Sequence, residues 1–92
     1  RVSDQSLLRF MLAAILANDP IMAVHKTNQI RWSSNENPIV LYLRWQALLE
    51  SGWEQEAAET QEWYELICSN PCHQNVLGYI EQEIGYGLAD RF

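Results

Sequence analysis

The sequence predicts an all-α protein, a compact antiparallel bundle of four or five short helices, and three observations lead there. All three prolines follow Asp or Asn, in Asp19-Pro20, Asn37-Pro38 and Asn70-Pro71. At a helix N-cap an Asp or Asn side chain accepts an otherwise unpaired amide hydrogen, and proline suits the first helical position because its missing N–H costs nothing there. Each pair therefore reads as a helix start. The stretches between the pairs repeat apolar residues at intervals of three and four, the period of a helix with one buried face. Lastly, no Asn-Gly or Asp-Gly turn lies between alternating apolar and polar residues, so no hairpin of strands is signalled.

Taken in order, Ser3 or Asp4 can cap a first helix running to about Asn18, with Leu7, Leu8, Met11, Leu12 and Ile15 on one stripe. A shorter helix follows from Pro20, carrying Ile21, Val24 and His25, before a mixed, partly strand-like stretch from Thr27 to Trp32 and a polar loop from Ser33 to Asn37. The third helix spans Pro38 to Ser51, and Gly52 supplies the left-handed residue that commonly follows a helix end. Its opening turns, Ile39 to Leu43, are apolar on every side, which means burial among several neighbours or a face awaiting a partner. The fourth, from about Trp53 to Ser69, spaces Trp53, Ala57, Thr60, Tyr64 and Ile67 along one face and glutamates along the opposite arc. The last starts near Pro71 with Leu77, Ile80, Ile84 and Leu88 on one side, and Gly85 and Gly87 end or loosen it. Connections this short turn each helix back on its predecessor.

Pro38 and Pro71 enclose a helical pair about as long as a tetratricopeptide repeat, and Leu41, Trp45, Leu48, Gly52, Ala57 and Pro71 resemble parts of that pattern. The resemblance covers about a third of the chain. It departs from the family where the aromatic of the second helix is displaced, the proline comes late and no second copy follows. It implies a helical hairpin of that shape and not membership of the family.

The 92 residues suit a single helical domain over 1–92, and 48% hydrophobic with 20% charged residues is a folding composition. Charge is uneven. Residues 1–49 set Arg1, Arg9, Lys26, Arg31 and Arg44 against Asp4, Asp19 and Glu36, for +2, whereas 50–92 set nine acidic residues against Arg91, for −8. An acidic half repels phosphate backbones, so direct nucleic-acid binding is not expected and a protein partner with a basic surface is. The apolar stretch from Leu7 to Leu16 is too short to span a bilayer and contains Arg9, so no membrane role is read.

Cys68, Cys72 and His73 cluster around the Asn70-Pro71 turn, and His25 could complete a tetrahedral zinc set, but one compact cluster with a single distant ligand is a poor match to zinc spacing. Two cysteines do not make a disulfide framework, and free thiols packed as small apolar residues in a reducing, cytoplasmic setting are the simpler expectation. Cys72 and His73 diverge by about 100° on a helix, unsuited to a thiol and its base. Glu56, Glu59, Glu62 and Glu65 recur every three residues without the Glu-x-x-His of di-iron bundles, and read as a solvated strip. No phosphate loop or nucleophile elbow is present. The sequence thus points to a protein that is not an enzyme and needs no cofactor or metal.

What remains is a helical protein-protein interaction module: an adaptor, a chaperone-like factor or a subunit of an assembly, with pairing of two copies also open. Tryptophan and tyrosine are favoured at binding hot spots. Tyr42, Trp53, Glu56, Glu59, Glu62 and Trp63 are the candidate partner-binding residues, on the third helix and along the acidic fourth. The alternative is an acidic inhibitor, or immunity-type protein, that blocks a basic nucleic-acid enzyme.

Overall fold

Capping chemistry sets the ends of the helices. In the computed structural model, which describes residues 4–28 and 37–85, α1 (Asp4–Leu16) gives way to α2 (Pro20–Asn28), then α3 (Pro38–Glu50), α4 (Glu54–Ile67) and α5 (Cys72–Gly85). No strand occurs among the described residues. The fold is the expected all-α bundle of short helices.

Two of the connections are built alike. After α1, Asn18 takes a left-handed φ of 62°, its N–H donates to Ile15 O, and the Asp19 N–H reaches back to Ala14 O at 2.9 Å. After α3, Gly52 takes φ 84°, its N–H donates to Leu49 O, and the Trp53 N–H reaches Leu48 O at 3.0 Å. Both are Schellman closures, in which a residue free to adopt positive φ lets two amides satisfy carbonyls that the helix leaves open. At the start of α3, Asn37 caps as its sequence implies, its Oδ1 accepting from Ile39 N at 2.9 Å with Pro38 at the first helical position. The last of the three proline pairs behaves differently. Asn70-Pro71 is cis and α5 begins one residue later, at Cys72.

The apolar residues of α3 face two ways. Val40, Leu43, Ala47 and Leu48 enter a cluster with Leu7, Leu8, Met11 and Leu12 of α1, Ala23 and Val24 of α2, and Ala57 of α4. Leu41 enters a second cluster with Tyr64, Cys68 and Val76. Alone among the five, α3 packs against all four others, so its lack of a polar face follows from burial between neighbours rather than from a missing partner.

Several expected faces shift. In α2, Ile21 and His25 are exposed while Ala23, Val24 and Thr27 are buried, and the helix continues through Thr27, where a strand-like stretch was expected. Thr27 is satisfied locally by donating from Oγ1 to Val24 O at 2.8 Å. Arg44 of α3 donates to the same pair, to Thr27 Oγ1 and, at 3.5 Å, to Val24 O, closing the C-terminal end of α2 with a cation where the helix dipole favours one. Burial holds the guanidinium pKa of Arg44 below its usual value. In α5, Val76 and Glu83 are the buried positions, Leu77 and Ile80 are half-buried and Ile84 is exposed. The inner face is thus turned toward Glu83, which Arg9 of α1 meets at 3.3 Å. The rest of the 29–36 connection, with Gly87 and Leu88, lies outside the described residues. No described helix is long and apolar enough to cross a membrane.

Candidate functional site

The six candidate residues do not form one surface. Tyr42 lies half-buried where α3 meets α4 and α5, its ring 5.6 Å from Trp45, 5.5 Å from Tyr64 and 6.0 Å from His73. Trp45 stands 6.0 Å from Tyr64, and the rings of Tyr64 and His73 meet edge to face at 5.8 Å. These separations are those of packed aromatic pairs, so Tyr42 is held by its neighbours. Tyr64 Oη and His73 Nδ1 are hydrogen-bonded at 2.7 Å, joining α4 to α5. Burial first, and then the neighbouring Tyr42, raises the Tyr64 pKa.

Trp53 and Trp63 lie at opposite ends of α4. Ten residues at 1.5 Å rise place them about 15 Å apart along the axis. Trp53 is 42% exposed because it ends the Gly52 closure before α4 begins, and Leu49, four residues earlier, is exposed as well. Trp63 is half-buried against the cluster of Leu41, Tyr64, Cys68 and Val76.

Glu56, Glu59 and Glu62 are exposed, as are Glu54 and Glu65. A three-residue spacing turns back about 60° at each step, so these carboxylates fan over the whole outer arc of α4 instead of lining a narrow strip. Within that arc stands a side chain the sequence reading passed over. Leu66 is 85% exposed, and Ile67 beside it is 42% exposed although the expected stripe put it inward. Helical spacing sets Leu66 four residues from Glu62 and three from Trp63, and sets Trp63 four from Glu59. The C-terminal half of α4 therefore presents Trp63, Leu66 and Ile67 beside Glu59 and Glu62. The clue lay in the sequence: Leu66 falls among glutamates, opposite the Ala57 and Tyr64 stripe.

Cys68 and Cys72 are joined in a disulfide with Cα atoms 5.2 Å apart, contrary to the expectation of free thiols. The pairing is local: α4 ends at Ile67, and the turn brings residue 72 back over residue 68. It removes both sulfurs as thiolate ligands, while His73 Nδ1 is engaged with Tyr64, so the Cys68, Cys72, His73 and His25 zinc set is not assembled. The inference of a reducing compartment loses its premise with the thiols. No group of three or more His, Cys, Asp or Glu among the described residues is placed to hold a metal ion.

The architecture is that of a small all-α bundle carrying an acidic helix on its outside. Comparison with protein-family models, with curated proteins and with solved structures finds no match to this chain.

Proposed function

We propose that the protein is a non-catalytic helical interaction module whose docking surface is the outer face of α4, and that its partner is a protein presenting apolar side chains within a basic surface. The observation that carries this reading is Leu66, 85% exposed between exposed carboxylates. A lone exposed leucine is ordinary. Here Trp63, three residues before Leu66 and four before Ile67, adjoins both, and Glu59 and Glu62 stand beside it, so the patch has both an apolar anchor and a charge preference. Trp53, with Leu49, forms a separate contact at the other end of α4, and Tyr42 supports the surface from beneath. The acidic face also suits an inhibitor of a basic nucleic-acid enzyme, in which case binding abolishes that enzyme's activity.

The test compares the folded chain with Leu66→Asp and with Glu59→Lys/Glu62→Lys, each checked for retained helical circular dichroism, as baits in the native host. A basic partner retained by the unsubstituted protein and lost from both variants is the expected result. A partner held equally by all three sinks this assignment of the surface.

A further inference from the structure

The two cysteines of the disulfide are unequally buried. Cys68 is 3% exposed, inside the cluster with Leu41, Tyr64 and Val76, whereas Cys72 is half-buried at the first position of α5. The ring they close spans only Ser69, Asn70 and Pro71, so it constrains the unfolded chain less than a long-range bridge does. It ties the end of α4 to the start of α5, two elements whose other contacts include the side-chain packing of Tyr64 and Cys68 with Val76. Across the α4–α5 junction the disulfide is accompanied by the Tyr64–His73 hydrogen bond at 2.7 Å.

We propose that the Cys68–Cys72 disulfide is a thiol–disulfide exchange site, entered at Cys72 Sγ by a dithiol reductant, and that opening it loosens α5 from the end of α4. The proposal is independent of the docking surface on α4. A thiolate of the dithiol attacks Cys72 Sγ, forming a mixed disulfide, and the S–S electron pair leaves on Cys68 Sγ, which takes up a proton. The second thiol of the reductant, as thiolate, then attacks its own sulfur in the mixed disulfide and releases Cys72. Two electrons and two protons have passed from the dithiol to the protein, and the reductant leaves as its cyclic disulfide. Access selects the sulfur attacked, because Cys68 is enclosed. In the reduced state Cys72 lies at a helix N-terminus, where the dipole favours its thiolate, so it is also the thiol that reacts when the bond is remade.

The experiment uses the full folded chain. Glutathione, a monothiol, traps the mixed disulfide, and peptide mass spectrometry locates it. The expected adduct is on Cys72, in excess over Cys68 on the order of tenfold. Dithiothreitol then opens the bond completely while far-UV circular dichroism stays helical, and hydrogen exchange of α5 amides accelerates by roughly tenfold relative to those of α1. Cys68→Ser and Cys72→Ser variants, where folded, extend the comparison to alkylation rates, with Cys72 the faster. Should either fail to fold, trapping on the unsubstituted chain decides alone. An adduct chiefly on Cys68, a bond that opens only with global unfolding, or α5 exchange unaltered by reduction overturns the proposal.

Discussion

Tyr79 and Glu83 illustrate how one side chain can set a condition on the whole fold. The Tyr79 hydroxyl is buried, and its pKa is raised first by that burial and then by the charge of Glu83, with Arg9 acting in the opposite direction. Tyr64 is shifted the same way. A tyrosine whose folded pKa exceeds its unfolded value near 10 holds its proton longer in the native state. Its contribution to stability is fully present below that unfolded value and is lost as pH rises through the folded one. Urea midpoints measured from pH 7 to 11 are therefore expected to fall on the alkaline side, and to fall less in Tyr79→Phe; an equal fall in both proteins contradicts this origin. Such environments were not legible beforehand. Arg44 stands in the middle of an apolar helix, and its acceptors, Val24 and Thr27, lie 20 and 17 residues away, so no local pattern announces that it closes the end of α2.

Helices were legible where their signals are local. Asn37 and Pro38 start α3, and Gly52 ends it through a closure whose chemistry is written in adjacent residues. Faces were legible where neighbours surround the helix, as for Leu7, Leu8, Met11 and Leu12, and less so at ends, where Trp53 and Ile67 escape the core that Ala57, Thr60 and Tyr64 enter. The turn of α5 toward Glu83 could not be read from local pattern, because the side chain that meets Glu83 is Arg9, 74 residues earlier. That ion pair is asymmetric, the Arg9 side chain being 48% exposed and that of Glu83 only 9%. Replacing the arginine leaves a nearly enclosed carboxylate without its charged donor. Arg9→Gln should lower unfolding stability by about 1 to 3 kcal/mol, measured by urea denaturation. Glu83→Gln in the Arg9→Gln background should recover part of the loss, because the uncompensated charge is then gone; no recovery means the pair does not anchor α5.

At the scale of the molecule, the charge map survives folding in a specific form: the acidic half spreads five exposed glutamates over the outer arc of α4, with Glu59 and Glu62 beside a small apolar patch, while the basic residues Arg9 and Arg44 are tied to partners elsewhere. Composition alone revealed the sign of this field but not its centre, which depends on Leu66 and Ile67 pointing outward. Field and patch should act on different rate constants. Charges at a rim steer the encounter, and their effect weakens as salt shortens the screening length from about 30 Å at 0.01 M to about 8 Å at 0.15 M. Apolar anchors hold the complex once it has formed. Reversing Glu56, Glu59 and Glu62 to lysine is thus expected to slow association with the basic partner by at least about tenfold at low salt and to erase most of its salt dependence. Replacing Leu66 or Trp53 by alanine should leave association nearly unchanged and accelerate dissociation. Tyr42→Ala is the contrasting case: its ring packs against Trp45, Tyr64 and His73, so its first effect is on stability, visible as a lowered unfolding midpoint before any change in binding. Surface plasmon resonance across a salt series separates these outcomes. If the triple reversal leaves the slope of association against ionic strength intact, the partner does not approach along α4, and the acidic arc serves only to keep the bundle in solution.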